Sequence, residues 1–99
     1  MGEDYGQEEL VTEEMLWDRI PEVQGEERAN TFYELSARIF ARGQYDEALA
    51  LAETARDIFS ELGALAPSEG LAQAYSAIGY NLNQLKRMDE AASAMSKAV

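Results

Sequence analysis

The sequence predicts an all-α fold, an α-solenoid in which helix-turn-helix pairs stack one on the next. Three observations predict it. The pattern Tyr45-Asp46-Glu47-Ala48, followed by Ala52 and Ala55, returns 43 residues later as Met88-Asp89-Glu90-Ala91, followed by Met95 and Ala98. The same offset maps Phe32 onto Tyr75, Leu35 onto Ile78, Ser36 onto Gly79 and Ile39 onto Leu82. An internal repeat of this kind, large and small residues at helical spacing, marks a stacked helical array. Apolar residues recur at intervals of three and four, and no strand-like alternation of useful length is present.

Residues 1–7 are polar and aperiodic and are expected to form a disordered acidic lead. Residues 8–25 are expected to form a capping helix and linker. Thr12 can cap this helix, with Glu13 and Glu14 in a first turn whose dipole favours acids. Val11, Met15, Leu16, Trp17 and Ile20 make its apolar stripe, and Pro21 and Gly25 break it. Trp17 is expected to pack over the first repeat; the alternative is an exposed anchor for a partner, a role Trp often takes.

The first repeat spans 26–67. Its first helix is expected from Glu26 to Arg42, facing inward through Ala29, Phe32, Leu35, Ser36, Ile39 and Phe40. Gly43 stands where the chain must turn, a position suited to positive φ. The second helix runs from Asp46 to Leu62 on the stripe Ala48, Leu51, Ala52, Ala55, Ile58, Phe59 and Leu62. Gly63 ends it, and Ala64 to Pro67 connect. The second repeat spans 68–99. Ser68 is the expected cap of a helix reaching Leu85, with Leu71, Tyr75, Ile78, Gly79, Leu82 and Leu85 inward. Lys86 and Arg87 follow at its C-terminal end, where the dipole favours cations. The last helix starts near Asp89 and reaches Val99.

Helices pack closely only where facing side chains are small. Ser36 and Gly79 supply that position in the first helix of each pair; Ala48, Ala55, Ala91 and Ala98 supply it in the second. In this arrangement the chain resembles the tetratricopeptide repeat family. The resemblance rests on Phe32, Leu35, Ser36, Ile39, Gly43, Tyr45, Ala48 and Ala55, then on Tyr75, Ile78, Gly79, Leu82, Met88, Ala91 and Ala98, within about residues 28–99. Ser36 replaces the family's usual Gly, Ala52 stands where an aromatic is common, and Lys86 replaces the inter-helix Gly. The period of 43 exceeds the usual value of about 34. The added residues lengthen the second helix through Ile58, Phe59 and Leu62, as in the long-period subclass of kinesin light chains and bacterial regulatory proteins.

The resemblance implies a right-handed superhelix whose first helices line a concave groove for a peptide or helix. By position that groove takes Asn30, Tyr33, Glu34, Ala37 and Phe40 from the first repeat. Gln73, Ser76, Ala77, Tyr80, Asn83 and Gln84 come from the second. The amides there can bond an extended peptide backbone, and the tyrosines can stack on its side chains. Ordinary solvated faces, with Phe40 as core, are the plainer alternative. No Lys or Arg falls in the groove, so capture of an acidic C-terminal tail is disfavoured. Arg38 and Arg42 lie on a neighbouring face and are expected to pair with Glu34 or Asp46.

Composition narrows the function classes further. The chain has 99 residues, no cysteine and no histidine, which removes disulfides, thiolate metal sites and the commonest general base. Its net charge is −11, of which residues 1–27 carry −9, with ten acids and one arginine. A basic footprint for nucleic acid or anionic membrane is lacking, and no apolar run approaches the length of about 20 residues that crosses a bilayer. The opening Met1-Gly2-Glu3-Asp4 is acidic where a signal peptide would be basic and then apolar, so a cytoplasmic protein is expected. Adjacent acid pairs such as Asp46/Glu47 and Asp89/Glu90 diverge by about 100° around a helix, which does not favour catalysis. No cofactor or metal is expected. The expected function is protein–protein interaction as an adaptor, scaffold or regulatory module rather than an enzyme. The alternatives are a self-associating unit, a homodimer through the C-terminal helix face of Ala91, Met95 and Val99, and a sensor module of a transcriptional or signalling regulator.

Overall fold

Thr12 caps the first described helix: its side-chain oxygen accepts from the Met15 backbone N–H at 3.1 Å. The computed structural model describes residues 11–65 and 68–98, with side chains for all of these but Ser68. The acidic lead, any turn starting at Glu8, the Ser68 cap and Val99 lie outside what it describes. Among the described residues five α-helices follow one another: α1 Glu13–Arg19, α2 Gly25–Ala41, α3 Tyr45–Leu62, α4 Ser68–Gln84 and α5 Met88–Ala98. Single 3-10 turns, Ile20–Glu22 and Gly63–Leu65, follow α1 and α3. Among the described residues the fold is all-α, and none of these helices is long and apolar enough to cross a membrane.

Each helix packs chiefly on its neighbours in sequence, α2 on α3, α3 on α4 and α4 on α5, with a lighter contact between α2 and α4. The body measures 49 × 32 × 22 Å, and its 14.4 Å radius of gyration exceeds the value of about 13 Å typical of a compact domain of this length. Sequential packing with few closing contacts produces that elongation.

The sandwiched helix is α3, and its composition explains why. Ala48 and Leu51 join Leu16, Ile20, Leu35 and Ile39 in one core cluster. Leu49 and Ala52 join Ile78, Leu82, Ala91 and Ala94 in a second, and Ala55 and Phe59 join Ala29 and Ala74 in a third. Leu49, outside the expected stripe, is buried because α3 must cover a helix on two sides. The alanines at these contacts are nearly all fully buried, which permits close approach of the helices. The lengthened end of α3 also has a visible task. The Phe59 ring lies so close to Gly70 that an added Cβ there would sit 2.5 Å from it, and Leu62 reaches back toward Gly25 at the start of α2.

The two helix-pair turns are built alike. The Gly43 N–H donates to Phe40 O at 2.9 Å and the Gln44 N–H to Ile39 O at 3.3 Å. Forty-three residues on, the Lys86 N–H donates to Asn83 O at 3.1 Å and the Arg87 N–H to Leu82 O at 2.8 Å. This is the same paired closure of a helix end, with a left-handed residue after the cap. Gly43 takes that conformation at φ +83°, and Lys86 takes it at φ +66° despite its Cβ. At these two turns the backbone repeats at the same interval of 43 residues as the sequence.

Three expectations change. Trp17 and Met15 point outward, 42% and 49% exposed, and fully buried Leu16 docks α1 in their place. Once Thr12 fixes the helix start, Leu16 and Ile20 fall four apart on the face toward α2, and their burial contributes about 1.5–3 kcal/mol each. Arg42 pairs with Glu13 on α1, at 3.0 Å, rather than with Glu34 or Asp46, because the turn after α2 brings it beside the first turn of α1. On α5, Ala91 is buried against the second cluster instead of facing outward, while Met95 lies over Gly79 and stays 37% exposed.

Candidate partner-binding groove

A cleft opens where α2 and α4 touch. Small residues at the α2–α4 contact, Ser36 and Ala37 facing Ser76 and Ala77, leave a cleft of about 140 Å³ between the helices. Tyr33, Phe40 and Tyr80 add aromatic walls, and Asn81 completes the lining. Phe40 also packs against the first core cluster and sets its ring edge-on to Tyr45 at 5.2 Å, so it is both core and wall. Tyr80 stands 54% exposed at the rim. It also lines a second depression, of about 290 Å³, that runs on to α5 past Asn83, Met88 and Met95. Tyr80 thus lines both depressions, which together involve three helices.

Six of the expected groove residues, Tyr33, Ala37, Phe40, Ser76, Ala77 and Tyr80, meet in the cleft, and Asn83 lies in the adjoining depression. Asn30, Glu34, Gln73 and Gln84 are exposed and line neither. They sit a turn or a helix face away from the contact between α2 and α4.

Sequence reasoning missed Asn81, and it took Ser36 only as a small packing position. Ser36 and Asn81 are both only 1% exposed, and Ser36 Oγ and Asn81 Oδ1 have no hydrogen-bond partner among the described residues. The Asn81 amide nitrogen donates to Ala77 O at 2.8 Å, which fixes the amide so that Oδ1 is its open end. A buried acceptor left unmade typically costs about 1–3 kcal/mol. Two of them lining one cleft form a polar floor beneath apolar walls. The signal was present for Asn81: it follows Ile78 by three and precedes Leu85 by four, so a polar residue occupies the apolar stripe of α4.

Charge lies around the cleft rather than in it, for none of its eight lining residues is ionisable at neutral pH. Arg28, over the Phe32 ring at 5.8 Å, donates to Ile20 O at 3.4 Å and ties the end of α1 to α2. Lys97, 5.7 Å over the Tyr75 ring, ties α5 to α4. At the start of α5, Arg87 forms a two-bonded pair with Glu90, at 2.8 and 3.0 Å. That pair holds the Glu90 carboxyl below its ordinary value through its hydrogen bond and raises the Arg87 guanidinium. Among the described residues no cluster of His, Cys, Asp and Glu could hold a metal ion. No protein-family model, curated protein or solved structure matches the chain.

Proposed function

We propose that this chain is a protein–protein interaction module, a right-handed solenoid of two tetratricopeptide-like repeats capped by α1. It acts as an adaptor, scaffold or regulatory part in the cytoplasm. Its groove, formed by α2 and α4 and extended to α5, takes a peptide or a helix of a protein partner. Binding, rather than chemistry on a substrate, is its action.

The observation that carries this reading is the cleft itself. Aromatic walls, a rim tyrosine more than half exposed and a polar floor with unmet bonding capacity form a surface that a partner completes. The repeated turn geometry supports the solenoid, because both turns close with the same pair of backbone bonds.

Photo-crosslinking tests the reading. A benzophenone amino acid at Tyr80 is expected to capture a discrete protein in cells, and the same group at exposed Ser60 on α3 is not. Tyr80→Ala is expected to weaken binding of that protein while leaving the helical signal and Tm intact. Capture that is equal at the two positions, or absent from both, overturns the groove.

A further inference from the structure

The polar floor of the cleft restricts what can fill it. We propose that the cleft is a socket for one side chain of the protein partner, with an apolar body and an uncharged N–H or O–H donor at its tip. Ser36 Oγ and Asn81 Oδ1 receive that donor. The proposal rests on the groove reading above and names the chemistry the groove selects.

Four observations narrow the occupant. The volume of about 140 Å³ falls below the range of about 300–1,000 Å³ of small-molecule sites, and suits a single side chain. A purely apolar tip would leave both acceptors unpaired and dry. An anion would meet Asn81 Oδ1, which can only accept, and would find no Lys or Arg among the lining residues to balance its charge. A cation would lose its water with no carboxylate among the lining residues to balance it. What remains is an amphipathic neutral group of the kind tyrosine and tryptophan carry. The bonding atoms lie at the floor, both residues being 1% exposed. Neither atom has exposed surface in the free chain, so an occupant reaches them only as the lining yields, and a single side-chain tip demands less room than a peptide backbone.

Side-chain analogues test this on the full chain by NMR. The probes are 3-methylindole and p-cresol, their donor-blocked counterparts 1,3-dimethylindole and p-methylanisole, and butylguanidinium. The donor-bearing probes are expected to shift the backbone resonances of Ser36, Ala77 and Tyr80 and the Asn81 side-chain amide saturably. Each blocked counterpart should bind roughly tenfold more weakly, and butylguanidinium no better than these. The double variant Ser36→Ala/Asn81→Leu should keep the helical signal and erase the donor preference. Ser36→Ala alone should hold or raise Tm. Equal affinity within both probe pairs means that water serves the two atoms and overturns the socket; tightest binding by butylguanidinium overturns it in favour of a cation. Capture at Tyr80 without donor preference sinks the socket and leaves the groove standing. Donor preference without capture at Tyr80 sinks the protein partner as occupant.

Discussion

Gly43 and Lys86 stand at the same point of two successive helix ends, 43 residues apart, with φ of +83° and +66°. Their N–H groups close equivalent bonds three residues back, to Phe40 O and Asn83 O. A left-handed conformation costs a residue with a Cβ about 1 kcal/mol or more, and glycine little. An added Cβ at Gly43 would meet nothing within 4 Å, so any penalty there is conformational alone. Gly43→Ala is expected to destabilise by about 1 kcal/mol, and Lys86→Gly to stabilise by a similar amount. Urea unfolding of both variants measures this. Equal and small effects of either sign at the two sites would contradict the shared turn geometry.

Gly70 and Gly79 both admit a side chain of a neighbouring helix, yet their alanine variants should differ. At Gly70 the new Cβ would meet three atoms of the Phe59 ring at 2.5–3.0 Å, and Phe59 is buried in the third core cluster. A ring held on all sides cannot retreat, so Gly70→Ala is expected to cost about 1–3 kcal/mol by overpacking. At Gly79 the obstruction is Met95 Sδ and Cγ at 2.5 and 2.7 Å, the end of a flexible and partly exposed chain. Met95 can rotate, and alanine adds helix propensity worth up to about 1 kcal/mol. Gly79→Ala should therefore lie near neutral. Thermal unfolding ranks the two, and a larger loss at Gly79 would reverse the assignment of rigid and yielding neighbours.

The residue that docks α1 should separate from the one beside it. Leu16 is fully buried among Ile20, Leu35, Ile39 and Leu51, whereas Trp17 is outward. Leu16→Ala is expected to cost about 2–5 kcal/mol, and Trp17→Ala to leave Tm within the range of a surface substitution. Binding assays complete the comparison, since loss of partner affinity in Trp17→Ala with Tm unchanged would extend the contact surface onto α1.

Periodicity in the sequence was enough to set out the helices, their turns and most of the core, because helical burial repeats at three and four and a duplicated unit states it twice. Leu49 escaped for the opposite reason. It lies off the single stripe read for α3, and only the position of α3 between two neighbours gives it a second buried face. Trp17 and Leu16 are adjacent in sequence, so the stripe alone did not decide which one faces α2. The candidate groove divided along the same line: Tyr33, Ala37, Phe40, Ser76, Ala77 and Tyr80 converge, while Asn30, Glu34, Gln73 and Gln84 stay in solvent. Position in a repeat marks a helix face, but where the cleft opens along that face depends on small residues meeting across two helices. Burial of Ser36 and Asn81 needs both helices in place before it exists.

Acid should act on the start of α5 in a direction that the Arg87–Glu90 contact sets. Hydrogen bonding and charge from Arg87 hold the Glu90 carboxyl below its ordinary value in the folded chain. The contribution is therefore fully present above the unfolded-state carboxylate pKa and is lost as pH falls through the lower folded value. The raised Arg87 would release its share only at strongly alkaline pH. Both side chains are exposed, so the effect on global stability is small, and the local titration is the sensitive readout. A carbon-detected NMR titration is expected to place Glu90 below an ordinary glutamate, with Arg87→Gln returning it to the usual range. The amide protection of the first turn of α5 should fall through the same pH interval in the native chain only. A Glu90 that titrates alike with and without Arg87 would remove this contact from the interactions that hold the first turn of α5.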